Sequence, residues 1–461
     1  MSSTIGMLAL RCLLPGFVGT SAPDWVRRRA AEGLGGVVLF GRNVDDRNNL
    51  RALTDALHHE RPGLLIAIDE EGGDVTRLEA KAGSSYPGNL ALGAAGDAEL
   101  TEKVAAAMGA RLAEAGIDLN LAPVADVNTN PLNPIIGVRS FGSDAPAVAG
   151  QVAAWVTGMQ GAGVAACAKH FPGHGDVAVD SHVALSIATE DPRERALEPF
   201  KAAIAAGVRA IMSAHIVATA LDDLPATISP RVMSGLLRDE LGFQGLAVTD
   251  GLEMRGLSDG RGVAEAAVLA LAAGCDALCV GGGLAGEDVV DSILEAIVGA
   301  VDDGRLPEAR LREAASRVDA LAGWRSRQGA PKTTSDDIGL EAARRAVTAD
   351  GEVRVGERAV VVQLESEPSI AAGKIPWGVE AALAARGVRL DAVGSVVIVV
   401  RDLHRHPDHR AQVDTLLRQH PDAVLVEMGV PACRPDRARG YIATHGSARV
   451  CAIAAAEVMR P

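Results

Sequence analysis

Eight short apolar runs of β character succeed one another over residues 1–325, each followed by an Ala-rich stretch with helical periodicity. They occupy residues 5–10, 36–40 (GVVLF), 64–69 (LLIAID), 118–122 (DLNLA), 164–170 (VAACAKH), 210–216 (AIMSAHI), 246–250 (LAVTD) and 276–280 (DALCV). Continuous apolar runs belong to strands covered on both faces, and strands separated by helices pair in parallel. Eight such units over about 325 residues predict an α/β fold, a (β/α)8 barrel of the TIM type with loop insertions. A doubly wound open sheet is the alternative. The segment Ser326–Gly339 has no apolar periodicity and concentrates Gly, Pro, Ser, Thr and charge, which marks a linker over 326–339. Residues 340–461 carry further strands near 358–363, 395–400 and 423–427, with helices between them, and predict a small C-terminal α/β domain.

Composition narrows the partners. The 461 residues include 45 basic and 59 acidic side chains, a net charge of −14 that opposes nucleic acid and anionic membrane surfaces. No apolar stretch reaches the ~18 residues that a membrane span needs. Residues 5–19 contain Arg11 and Pro15 and follow no basic segment, a poor signal peptide, so a cytoplasmic location is expected. The six cysteines are scattered and mostly apolar in context, which predicts reduced, buried thiols. Cys275 and Cys279, on one face of a strand-like segment, are a weak metal hint. Aromatic residues make up only 3% of the chain, too few to line a long stacking groove, so a ligand site should be small and polar.

In a βα barrel the side chains that end the strands converge on one mouth. Here the third run ends in Asp69-Glu70-Glu71-Gly72-Gly73, the fifth in Lys169-His170-Phe171-Pro172-Gly173-His174-Gly175-Asp176, the sixth at Ser213 and His215, and the seventh at Thr249-Asp250-Gly251. Lys169 stands out in a chain with only six lysines. Asp180 and His182, two apart in an irregular loop, can pair so that the carboxylate fixes the imidazole tautomer and suits it to proton transfer. Asp250 is placed where a nucleophile or a cation stabiliser acts. Two other chemistries use the same residues: a metal-dependent hydrolase on His170, His174 and His182, and a Schiff-base enzyme on Lys169. Pro172, Gly173 and Gly175 oppose the helix that would align the first two histidines. In the C-terminal region Asp402, His404, His406 and His409 read as a solvated loop, with weak metal binding behind that reading.

The segments KHFPGHG with the following DSH, the pattern D-x-E-G-G-x-V-x-R at Asp69–Arg77, RSFG at Arg139–Gly142 and TDGLEM at Thr249–Met254 stand in register over about residues 1–325. Together they resemble glycoside hydrolase family 3, in particular its bacterial β-N-acetylglucosaminidase branch. The resemblance implies a retaining double displacement with Asp250 as nucleophile, His182 as acid/base and Asp180 orienting it. It implies that Asp69, Arg77, Arg139, Lys169 and His170 hold the hydroxyls and acetamido group of one terminal sugar. It implies no metal and no cofactor, a small N-acetylglucosaminide as partner, a monomer or dimer, and a smaller α/β sandwich after the barrel. Phosphorolysis at the same site and β-glucosidase activity are the alternatives, as is a sugar-binding protein without catalysis. The sequence departs from the pattern at Asp74, where Arg is usual, at Gly251, where a second acid is usual, and at Ser186, where Pro is common.

Overall fold

The computed structural model describes residues 4–177, 185–281, 286–328 and 337–461. Its first ten strands are β1 (Leu13–Pro15), β2 (Gly36–Leu39), β3 (Leu65–Ile68), β4 (Leu119–Asn120), β5 (Ala165–Phe171), β6 (Ser186–Ala188), β7 (Ala210–Ser213), β8 (Ile216–Ala218), β9 (Leu246–Thr249) and β10 (Leu278–Val280). The strands β2, β3, β4, β5, β7 and β9 pair in parallel in that order. A parallel bridge between Val248 and Ala277 carries the sheet on towards β10, which pairs in parallel with β1. The result is a curled parallel sheet. β6 and β8 form a separate parallel pair.

One strand expectation is corrected. Residues 5–10 lie in a helix, Thr4–Arg11, that buries Gly6, Ala9 and Leu10 while Met7 stays 51% exposed. Burial confined to one face at three- and four-residue spacing suits a helix. The first strand is the next apolar run, where Leu13 and Leu14 are both fully buried.

Side chains alternate along each strand between two cores. Leu14, Val38, Leu65, Ala67, Leu119, Ala165, Cys167, Ala210, Met212, Leu246 and Val248 pack inside the curl. Their neighbours Leu13, Val37, Leu39, Ile66, Ile68, Ala166, Ile211 and Ala247 pack outward against the helices. Each fully buried Leu, Val or Ile stabilises the fold by roughly 1.5–3 kcal/mol.

Beyond Ile338 the chain builds a second six-stranded sheet from β11 (Thr348–Gly351), β12 (Arg358–Gln363), β13 (Arg389–Leu390), β14 (Ser395–Val400), β15 (Val424–Glu427) and β16 (Gly440–Ala443). Its order is β11-β16-β15-β14-β12-β13, parallel except for β11. Period-2 alternation again feeds two faces. Val397 and Val399 pack with Leu383 and Ala455, whereas Ile398 and Val400 pack with Val413 and Leu417. The second sheet's segment docks on the first through Arg449, whose Nη2 donates to Ser85 Oγ (2.6 Å), and through an ion pair of Arg345 with Asp97 (2.6 Å).

Candidate active site

The C-terminal ends of the parallel strands open into a cavity of about 430 Å³. Its apolar floor includes Val38, Leu121, Met212 and Cys279, the last layer of the inner core. Inner-core packing below and loop residues above thus define one site, as expected for parallel βα units.

Lys169 enters the cavity from β5, and its Nζ lies 2.6 Å from Asp69 Oδ1 and 2.7 Å from Glu71 Oε1. Arg139 grips the same Glu71 with both arms of its fork, Nε at 2.9 Å and Nη2 at 2.7 Å. Such paired, charge-assisted bonds are directional as well as strong. Burial pushes the Glu71 carboxyl up, but the Arg139 guanidinium and the Lys169 ammonium outweigh it and hold the group well below the usual carboxylate range. Burial opposes the Lys169 charge, yet Asp69 and Glu71 raise its pKa above that of an ordinary lysine. An ammonium held this way is no Schiff-base nucleophile, because that chemistry needs the free amine.

Arg77 reaches the cavity from the loop after β3. Its Nη2 lies 3.9 Å from Asp69 Oδ2 and donates to Ala371 O at 2.8 Å. The loop is shaped by Glu70, whose Oε2 accepts the backbone N–H groups of Arg77 (2.8 Å) and Leu78 (3.0 Å). Ala371 and Ile370 belong to the second sheet's segment and line the cavity.

His170 is oriented by Asp126, whose Oδ2 lies 2.7 Å from His170 Nδ1. The Asp126 Oδ1 accepts the backbone N–H of His174 at 2.7 Å, so one buried carboxylate organises both histidines. Burial, reinforced by the neighbouring His170, drives the His174 pKa down to about 4. The loop can lie this close because Gly175 has no side chain: a Cβ there would come within 1.8 Å of Val127 O.

Asp250 follows β9 and lines the cavity, with its Oδ1 accepting from Gly251 N–H at 2.8 Å. His215 braces this loop from below through Nε2, 2.9 Å from Gly251 O, and Nδ1, 2.7 Å from Thr227 Oγ1. It is fully buried and supports the site instead of lining it.

The cavity therefore brings together Asp69, Arg77, Arg139, Lys169, His170 and Asp250. Asp180 and His182 lie outside the described residues. Among the described residues no group of three His, Cys, Asp or Glu side chains is arranged to hold a metal ion. Cys275 and Cys279 do not share a strand face: Cys275 precedes β10 and packs in the outer core, Cys279 lies in β10 and packs in the inner core, and burial raises the pKa of both thiols.

Glu71, named among the acids that end the third run, has no role of its own in the sequence reading, and three further contributors are not singled out there. Asp126 and Glu253 obey the same rule as the residues chosen, acids at or after the ends of apolar runs, and Glu253 lines the cavity while accepting Gly281 N–H at 3.0 Å. Ile370–Ala371 carry no local signal. Asp74 is buried and turns away to the second sheet's segment, accepting Ser447 N–H at 2.9 Å and lying 3.7 Å from Arg401 Nη1. In the segment Asp402–His409, expected to be a solvated loop, Leu403–Arg405 form a 3-10 turn and Pro407 begins a helix with Asp408 exposed, while His404 Nε2 lies 2.7 Å from Pro131 O in the loop after β4.

Comparison with known proteins identifies the family. A model of the glycosyl hydrolase family 3 N-terminal domain matches residues 23–321. A β-hexosaminidase of Stenotrophomonas maltophilia (strain K279a) is 38% identical over 301 residues, 62% of this chain and 87% of that protein. β-Hexosaminidase A of Pseudoalteromonas piscicida is 40% identical over 269 residues, 53% of this chain, although the match spans only 45% of that longer protein. The solved structure of a glycoside hydrolase family 3 β-N-acetylglucosaminidase from Paenibacillus sp. str. FPU-7 superposes with a TM-score of 0.90 at 32% identity, covering 100% of this chain and 97% of that one.

Proposed function

Because the chain belongs to glycosyl hydrolase family 3, we propose that it is a retaining, exo-acting β-N-acetylglucosaminidase that releases terminal N-acetylglucosamine from short glycosides. One observation carries the reading: a cavity of about 430 Å³, the size for one saccharide, lined by Asp69, Lys169, His170 and Asp250. A pyranose offers several hydroxyls, and fixed charged partners bind them directionally.

In this mechanism Asp250 attacks the anomeric carbon while His182 gives a proton to the leaving oxygen, forming a glycosyl-Asp250 ester. His182 then takes a proton from water, which attacks the same carbon and frees Asp250. Asp180 orients the His182 ring. Asp69, Arg77, Lys169 and His170 hold hydroxyls, and Arg139 helps to hold the acetamido side. The names of the relatives support the N-acetylglucosaminide. The same reading takes residues 1–325 as a closed (β/α)8 barrel, 326–339 as a linker and 340–461 as an α/β sandwich that completes the site. Its setting is cytoplasmic turnover of cell-wall or chitin fragments, by a monomer or dimer, without metal or cofactor.

Asp250→Ala is expected to abolish release of nitrophenol from a nitrophenyl N-acetyl-β-glucosaminide, and turnover retained by that variant would sink the proposal. Running the wild type with and without phosphate separates hydrolysis from phosphorolysis, which would yield a sugar 1-phosphate. Comparable turnover of the nitrophenyl β-glucoside would move the assignment to a β-glucosidase.

A further inference from the structure

The loop after β9 brings Asp250, Gly251 and Glu253 to the cavity, and of these the mechanism above uses Asp250 alone. In the curled sheet β4, β5 and β7 lie between β3 and β9, so this loop meets a bound sugar at a different part of its edge from Asp69, which follows β3.

Glu253 is fixed by the loop after β10. Its Oε2 accepts Gly281 N–H at 3.0 Å, and the N–H of Leu252 before it donates to Cys279 O at 3.0 Å. The Gly281 carbonyl accepts in turn from Arg42 Nη2 at 2.9 Å, and Arg42 Nε donates to Phe17 O at 2.9 Å. Burial lowers the Arg42 pKa and the Glu253 charge partly offsets it. The Gly281 peptide is thus bracketed by a carboxylate on its N–H and a guanidinium on its carbonyl. A carboxylate has two oxygens with about four acceptor sites, of which Gly281 takes one. A half-buried acceptor with a fixed orientation, on the wall of a sugar-sized cavity, is suited to a hydroxyl donor.

The place that this carboxylate occupies is left open by Gly251. A Cβ on Gly251 would lie 3.1 Å from Glu253 Oε1 and 3.3 Å from both Cδ and Oε2, closer than ordinary van der Waals contact. A side chain at 251 would therefore displace the Glu253 carboxyl. The Gly251 backbone is itself held, its N–H by Asp250 Oδ1 at 2.8 Å and its carbonyl by His215 Nε2 at 2.9 Å.

We infer that Glu253 is a substrate-binding residue that accepts a hydroxyl of the terminal sugar, and that Gly251 keeps open the place its carboxylate takes. The inference rests on the N-acetylglucosaminidase reading above, which puts the sugar in this cavity. Glu253 binds and orients in it, and forms no bond to the anomeric carbon.

The test uses the full chain, the nitrophenyl N-acetyl-β-glucosaminide, and the three analogues that lack the hydroxyl at C3, C4 or C6. In the wild type the analogue without the bound hydroxyl is expected to lose about tenfold or more in kcat/KM against the parent. In Glu253→Ala the parent should lose a similar factor and that analogue nothing further, because its partner is already gone. Glu253→Gln, which keeps one acceptor oxygen, should restore part of the difference, and Gly251→Ala should shrink the same penalty. Each readout is a ratio of substrates within one preparation, so partial loss of folded protein does not move it. Penalties that stay at wild-type size for all three analogues in Glu253→Ala overturn the inference and leave the enzymatic reading standing. A penalty lost in Glu253→Ala but intact in Gly251→Ala overturns the role given to Gly251. Wild-type protein inactive on the parent substrate overturns the reading, and the inference with it.

Discussion

The Asp74 carboxylate accepts the backbone N–H of Ser447 at 2.9 Å, a bond between residues 373 positions apart that ties the loop after β3 to the second sheet's segment. Removing a buried acceptor leaves its donor, here the Ser447 N–H, unsatisfied, at a cost of about 1–3 kcal/mol. Asp74→Ala should therefore lower the unfolding free energy by that amount in urea titrations. It should also raise KM more than it lowers kcat, because Ile370 and Ala371 at the cavity belong to the segment that this bond ties down.

His170 depends on Asp126 in the way Asp74 serves Ser447. With its Nδ1 held 2.7 Å from Asp126, the ring presents Nε2 in one orientation. Asp126→Ala frees the ring, and misplacing a binding group costs on the order of 10²-fold in rate. Steady-state kinetics on the nitrophenyl substrate should show a fall in kcat/KM of that order, and an unchanged value would separate the two residues functionally.

Lys169 is held as an ammonium by Asp69 and Glu71. Lys169→Met removes a charged hydrogen bond of about 1.5–3 kcal/mol, roughly ten- to a hundredfold in kcat/KM. Borohydride treatment of the wild type with a carbonyl compound should give no adduct at this lysine by mass spectrometry; an adduct there would revive the Schiff-base chemistry.

The folded pKa of His174, about 4, lies below the ordinary histidine value of 6.5. The unfolded chain thus takes up a proton at this position between pH 6.5 and 4 while the native state does not. Stability from this group is complete above pH 6.5 and is lost as pH falls through 4, by up to ~3 kcal/mol. His174→Gln should flatten that part of the stability profile when urea midpoints are compared at pH 7 and pH 4.5.

Chelation gives a separate check on the histidine-rich segment. Dialysis against EDTA is expected to leave turnover unchanged, and activity restored only by added zinc would reinstate a metal role for His170, His174 and His182.

Periodicity along the chain already determined the α/β class, because strand alternation and helix spacing are local properties of the backbone. The rule that polar residues ending apolar runs face one mouth found Asp69, Lys169, His170 and Asp250, which the cavity unites. The same rule misjudged residues 5–10, since a short apolar run fits either a helix or a strand until its neighbours bury one face or both. In the sequence Asp74 stands only as a departure from the pattern, where Arg is usual. Only the tertiary structure turned it towards Ser447 and Arg401, because the partner of a buried acid is set by whichever donors the fold brings within reach. For the same reason Ile370 and Ala371 were invisible: their place at the cavity comes from docking of a sheet that lies far along the chain, and no local pattern records it.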